Sequence, residues 1–412
     1  MENNAFDILN ERGFIKQVTD EQNVRESFTK GRVTAYVGFD PTADSLHVGN
    51  LLGLMALAHL QRCGHRPIAI IGDGTAMIGD PSGKTEMRKL LSFEAISKNA
   101  EKIKSQIARY FQIDGKQGLA VHNATWLLEL KYIDVLRSIG RHFSVNRMLT
   151  AESYKIRLES GLSFLEFNYQ ILQAYDFLEL YKRFGCTIQL GGDDQWGNII
   201  AGTDLIRRVE AAKAEGITWP LITTAGGQKM GKTASGAVWL DATKTTPYEY
   251  YQFWMNVDDR DVKRFLAYYT FLPMPEIEEL SSLKGAEKNV AKARLAFEAT
   301  KISHGLQEAE KARKASQSLF GQFNDDASAV PSSDISLAHL KTGKLLVDIL
   351  AETGLAASKS EARRLIKQGG AYVNHQRIES VDAILNESNC ENGVITLRAG
   401  KKRYHRLLLK DS

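Results

Sequence analysis

Two loops of this 412-residue chain carry the residue types that handle phosphate. The first, Pro41 to Asn50 (PTADSLHVGN), lies between a strand pattern at Arg32 to Asp40 and a helical pattern at Val48 to Cys63 that Gly64 stops. Ser45 is placed to cap the first turn, which aims that turn's amides and its positive dipole end at the loop, and His47 adds a donor. The second loop, Gly226 to Gly236 (GGQKMGKTASG), sets Lys229 and Lys232 three residues apart among glycines, a pattern that suits a clamp on phosphate. Taken singly, each stretch also fits a polar surface turn.

Three further stretches could complete a site. Tyr169, Gln173 and Asp176 are spaced four and three apart, so one face of a helix that should bury apolar side chains carries a hydroxyl, an amide and a carboxylate. Such groups either satisfy one another or serve a polar ligand. Gly72 to Lys84 (GDGTAMIGDPSGK) is a glycine-rich passage bearing Asp80 and Lys84, with Arg88 just beyond, though it lacks the order of a phosphate-loop motif. Gln189 to Asn198 (QLGGDDQWGN) ends a strand with paired glycines and two acids, where open α/β sheets bind ligands.

These stretches need a scaffold that brings strand ends together. Strand patterns at Val33 to Phe39, Pro67 to Gly72, Leu119 to Asn123 and Thr187 to Gly191 alternate with longer helical patterns, which predicts an α/β domain with a parallel sheet. From Thr246 to about Phe323 the pattern is helical, and 324 to 340 reads as a linker. In the tail, Ser358 and Glu361 form a capping box, and Lys359, Arg363 and Lys367 line a helix face beside Arg364, ahead of Gly369 and Gly370 and a few short strands. From Lys341 onward 13 basic residues face 8 acidic ones, whereas the first 340 residues hold 40 and 41. A basic tail on a near-neutral body suits RNA, or else is a solvated charged face. The three cysteines have no metal-ligand spacing and point to a reducing compartment, and neither a signal peptide nor a membrane span is expected.

In combination the motifs carry a resemblance. PTADSLHVGN resembles the HIGH signature and KMGKT, Lys229 to Thr233, the KMSKS signature of class I aminoacyl-tRNA synthetases. The whole chain is similar to the bacterial tyrosyl-tRNA synthetase family in YVGFDPTADSLH, IGDPSGK, HFSVN, GGDDQWGN, TPYEYYQFW and the tail, which resembles the RNA-binding domain shared with a small-subunit ribosomal protein. The resemblance implies a Rossmann-like catalytic domain (1–245), a helical tRNA-binding domain (246–323), a linker (324–340) and a small α+β RNA-binding domain (341–412). It implies a homodimer in the cytoplasm, with L-tyrosine, ATP with magnesium and tRNA as partners, and no metal held by the protein.

The same resemblance implies roles for residues. Tyr36 and Asp176 would bind the substrate phenol, Asp80, Tyr169 and Gln173 its ammonium group, and Gln195 would lie near the reacting carboxylate. Gly38, Asp40, Gly49, Asn50, Gly192 and Asp194 would hold the adenosine, with Thr42, His47, Lys84, Arg88, Lys229, Lys232 and Thr233 around the phosphates. Lys359, Arg363, Arg364 and Lys367 would meet RNA. Asn50 stands where HIGH has its second histidine, and Gly231 and Thr233 replace the serines of KMSKS; glycine is expected to add loop mobility there. A small-molecule nucleotidyltransferase would have no use for the basic tail, and a non-catalytic RNA-binding protein would not need both signature loops.

Overall fold

The computed structural model describes residues 4–82, 91–227, 230–233, 236–320, 330–374, 376–400 and 403–410. The chain packs as two units, one of Met1–Lys232, Ala237–Lys244 and Val257–Glu298, the other of Thr233–Gly236, Thr245–Asn256 and Ala299–Ser412. The helical stretch after Thr246 is thus shared between them: Val262–Tyr269 and Met274–Ser282 fall in the first, Pro247–Met255 and Leu306–Phe320 in the second.

The first unit is built on a six-stranded sheet of β1 (Gln17–Val18), β2 (Thr34–Phe39), β3 (Arg66–Ile71), β4 (Leu119–His122), β5 (Cys186–Gly192) and β6 (Glu215–Trp219), in the order β1-β6-β5-β2-β3-β4. All neighbours run parallel except β1 and β6. The four expected strands are β2 to β5. The other two were not legible, because EGITW offers little alternation and β1 is only two residues long. After β2 the winding proceeds to β3 and β4 on one side, while β5 and β6 lie on the other, so the winding direction reverses at β2 and a crevice opens beyond its carboxyl end.

The helix Leu51–Arg62 covers one sheet face beside that crevice. Its residues Leu51 to Leu60 are all buried, as expected of a helix apolar on every side. Gly53 lets it lie close, since a Cβ there would stand 3.2 Å from Val37 and 3.3 Å from Trp219. On the opposite side the helix Tyr169–Phe184 packs Ala174, Phe177 and Leu178 with Tyr36 and Ile68 from the sheet.

In the second unit, five strands lie in the order Gln376–Ile378, Ala371–Val373, Val394–Ala399, Arg403–Lys410, Ser332–Ser336, with the last pair parallel. Ser332–Ser336 falls within the stretch read as linker, whose polar composition hid a strand that buries only Ile335. The helix Lys359–Lys367 packs Ala362 and Ile366 into the core beneath this sheet. Its end needs glycine, for Gly369 has φ +69° and a Cβ there would strike the Arg377 guanidinium. On another face Tyr404 packs with Tyr248, Ala315 and Val330.

Candidate active site

A cavity of about 510 Å³ opens beyond the carboxyl ends of β2 and β5, a size that suits small ligands. Of the residues singled out in the sequence, Tyr36, Gly38, Asp40, Thr42, His47, Asn50, Asp80, Tyr169, Gln173, Asp176, Gly192 and Gln195 line it. Gly49 stands beside it within the His47 loop, and Asp194 lies against Gly192, where a Cβ would come 2.6 Å from the Asp194 Oδ1. Lys84, Arg88 and Lys229 lie outside the described residues. Of Lys232 and Thr233 the backbone is described, as a short strand.

The deep end of the cavity is polar and buried. Asp176 is 3% exposed and accepts hydrogen bonds from Asn123 Nδ2 at 2.8 Å and Trp126 Nε1 at 2.7 Å. Burial, only partly offset by those two donors, pushes its carboxyl up to about 8. The buried Tyr36 hydroxyl has no hydrogen-bond partner among the described residues, and burial followed by the nearby Asp176 charge raises its pKa well above the usual phenol value. A buried hydroxyl left without a partner costs stability, so this position is built for a ligand that supplies one.

The wall of the cavity is a chain of hydrogen bonds. Tyr169 donates to Asp40 Oδ2 at 2.9 Å, and Thr75 Oγ1 donates to Asp40 Oδ1 at 2.8 Å. Asn123 Nδ2 donates to Thr75 Oγ1 at 3.0 Å, which ties Asp40 to Asp176. Gln195 Nε2 donates to Asp80 Oδ2 at 2.8 Å, and Asn198 Nδ2 donates both to Gln195 Oε1 at 3.1 Å and to Gln173 Oε1 at 3.0 Å. Asn198 therefore fixes which way both glutamine amides face, leaving one lone pair on each oxygen for a ligand. Asn123, Trp126, Thr75 and Asn198 escaped the sequence reading. Thr75 and Asn198 lie within the stretches Gly72 to Lys84 and Gln189 to Asn198 without having been singled out, and Asn123 follows the last residue of a parallel strand; Trp126 had no signal.

The His47 loop departs from its expected capping. Ser45 is buried and bonds Leu46 O at 2.7 Å and the Gln106 side chain, so it does not cap the helix. His47 does: its Nδ1 accepts from Gly49 N at 2.9 Å, and Asn50 Oδ1 accepts from His47 N at 3.1 Å. With Nδ1 an acceptor, the neutral ring carries its hydrogen on Nε2, the form that donates to an anion. Asn50 spends its oxygen on the cap and keeps its amide nitrogen as a donor toward the cavity. Gly231 has φ +80°, and a Cβ there would stand 3.0 Å from the Gly49 amide. Glycine at this position thus permits close approach of the two signature loops.

A family model described as tRNA synthetases class I (W and Y) matches residues 29–321, and one for the C-terminal domain of tyrosine–tRNA ligases matches 322–407. The tyrosine–tRNA ligase of Clostridium tetani is 54% identical over 410 residues, covering 100% of both chains. This chain belongs to the tyrosyl-tRNA synthetase family. The ligase of Caldanaerobacter subterraneus is 52% identical, with 99% of this chain and 100% of its own covered. A C-terminally truncated mitochondrial tyrosyl-tRNA synthetase from Aspergillus nidulans superposes with a TM-score of 0.70 at 30% identity, over 77% of this chain and 94% of its own. An Archaeoglobus fulgidus tyrosyl-tRNA synthetase, at 17% identity and a TM-score of 0.57 over 75% and 99% of the two chains, shares the fold.

The site presents, among its described residues, hydrogen-bond donors and acceptors that neighbouring side chains orient. Among the described residues no group of three His, Cys, Asp or Glu side chains is placed to hold a metal ion, and no helix is long and apolar enough to cross a membrane. In the tail, the helix Lys359–Lys367 leaves Arg363, Arg364 and Lys367 exposed, while Lys359 is paired with Asp348 at 3.0 Å. Ser358 caps this helix, but Glu361 bonds the Ala357 amide rather than completing a box on Ser358.

Proposed function

We infer that the chain is a tyrosine–tRNA ligase whose amino-acid pocket is the deep end of the cavity below β2 and β5. The observation that carries this is the buried Tyr36 hydroxyl, without a partner among the described residues, beside the Asp176 carboxyl that already accepts two hydrogen bonds, a donor and an acceptor set for one phenol. The ammonium group of tyrosine rests against Asp80, Tyr169 and Gln173, whose oxygens suit a cation. Gln195, oriented by Asp80 and Asn198, reaches the carboxylate end. Adenosine lies across Gly38, Asp40, Gly192 and Asp194, with Asn50 donating to a ribose oxygen.

The carboxylate oxygen attacks the α-phosphorus of ATP, forming one P–O bond as the bond to the β-phosphate oxygen breaks and pyrophosphate leaves. His47 Nε2–H, the amides of its loop, Thr42, and the side chains of Lys84, Arg88, Lys229, Lys232 and Thr233 stabilise the charge that shifts onto the phosphates. Magnesium arrives with the triphosphate as part of the substrate. The terminal adenosine hydroxyl of tRNA then takes the tyrosyl group and AMP leaves. The basic helix with Arg363, Arg364 and Lys367 holds RNA.

The assembly is a homodimer in the cytoplasm. Supporting this reading, Tyr132, Ile133, Leu136, Val145 and Phe164 are exposed large apolar side chains within residues 132–164 of the first unit, of the kind a partner subunit covers. The deciding experiment is pyrophosphate exchange stimulated by each of the twenty amino acids. Stimulation by tyrosine alone is expected; a response to tryptophan of equal size, or to no amino acid, would overturn the assignment.

A further inference from the structure

His47 is held from more sides than its own loop. Its backbone forms an antiparallel bridge with Trp239, flanked by bonds from Val48 N to Val238 O and from Leu240 N to Leu46 O, each 2.9 Å. The Trp239 ring meets the imidazole edge-on at a centroid distance of 6.1 Å, and both side chains line the cavity. Behind the indole, Lys244 places its ammonium 5.0 Å from the ring centroid. Lys244 gets there through a turn in which its amide bonds Asp241 O at 3.0 Å and Asp241 Oδ1 accepts from Thr243.

What holds Lys244 over the indole is Asp44, which belongs to the same loop as His47. The Asp44 carboxylate forms ion pairs with Lys244 and, at 3.1 Å, with Lys102 of the helix Phe93–Ile107. The contacts therefore close a ring: His47 to Trp239, Trp239 to Lys244, Lys244 to Asp44, and Asp44 back along three residues of chain to His47. A cation over an indole and a carboxylate on that cation reinforce one another, because each restricts the same flexible lysine.

Resting on the reading of His47 as a phosphate ligand, we propose that Trp239 is a positioning residue for His47 in ATP activation, its ring steadied by the Asp44–Lys244 pair. A neutral imidazole stabilises a developing charge only if its Nε2–H is already aimed, so a ring free to turn loses catalysis rather than tyrosine binding. Both partners of the Asp44–Lys244 pair are about one-third exposed, which makes the device sensitive to salt.

The test is a double-mutant cycle read in tyrosine-dependent pyrophosphate exchange. Trp239→Leu should lower kcat roughly tenfold with KM for tyrosine unmoved, and Trp239→Phe, which keeps an aromatic edge, should recover most of the loss. In the His47→Ala background the same Trp239→Leu change should cost less than about twofold. An equal cost in both backgrounds would show that Trp239 acts on ATP or on folding, and would overturn the proposal. Lys244→Met, which leaves the indole in place, covers the case in which Trp239→Leu fails to fold. It should lower kcat roughly threefold at low salt, converge with the unmodified protein at high salt, and likewise lose its effect without His47. If Lys244→Met is silent, or additive with His47→Ala, the ring of contacts has no part in positioning. Failure of the unmodified protein to exchange pyrophosphate would refute the functional assignment instead, so the two failures are distinct.

Discussion

At the scale of residues, discrimination rests on how few partners the pocket supplies for its own polar atoms. Phenylalanine would fill the space of tyrosine but leave the Tyr36 hydroxyl as it now stands, without a partner. Each buried group left so costs about 1 to 3 kcal/mol. Tyr36→Phe removes that hydroxyl and keeps the ring against Phe177, where the centroids are 5.2 Å apart. The ratio of kcat/KM for tyrosine over phenylalanine in pyrophosphate exchange should therefore fall roughly ten- to hundredfold. A ratio that does not move would place recognition of the phenol elsewhere. Asp176 tests the same pocket by titration. Its carboxyl, held up to about 8 chiefly by burial, lies above its unfolded value, so the stability associated with its neutral form is present at low pH and lost as pH rises toward 8. Asp176→Asn has no such titration. Without tyrosine, its stability relative to the unmodified protein should climb between about pH 5 and pH 8, with a slope of up to about 1.4 kcal/mol per pH unit in urea unfolding. A difference flat across that range would return Asp176 to an ordinary carboxylate.

At the scale of elements, β2 to β5 were legible because β-branched runs bounded by glycine repeat at the spacing of an α/β unit, and the crevice followed from their carboxyl ends. The wiring between elements was not. Tyr169 and Asp40 are 129 residues apart, and only the fold makes their 2.9 Å bond. The capping of the His47 loop was misread for a related reason: Ser45 has the better capping side chain, but tertiary contact with Gln106, 61 residues away, draws it inward and leaves the cap to His47. Gly72, at the end of β3, shows what such wiring demands of the backbone. A Cβ there would lie 2.0 Å from Asp40 Oδ1 and 2.5 Å from Thr75 Oγ1. Gly72→Ala should push Asp40 off both Thr75 and Tyr169, lowering stability by about 1 to 3 kcal/mol and kcat/KM for ATP and for tyrosine together, roughly tenfold or more each. An effect confined to one substrate would mean that Asp40 does not join the two halves of the cavity as its bonds suggest.

At the scale of the whole molecule, the sequence separates its charge, since the surplus of basic over acidic residues sits entirely in the tail. Individual contributions become unequal once partners are known. Lys359 is engaged by Asp348, whereas Arg363, Arg364 and Lys367 project from the same helix into solvent, with Ala362 and Ile366 facing the core. Replacing the three exposed cations by alanine leaves that buried face and the Ser358 cap untouched, so the fold should survive. Pyrophosphate exchange should then be unchanged while kcat/KM for tRNA charging falls, and the dependence of log affinity on log salt should become shallower by roughly 0.7 to 0.9 for each phosphate that is no longer neutralised. Lys359→Ala should do less, because its ammonium must first leave Asp348 to reach a phosphate. If exchange fell in step with charging, the helix would be supporting the fold rather than RNA. If charging and its salt slope both stayed as they are, the basic surplus would be a solvated face and the tRNA would be held by other residues.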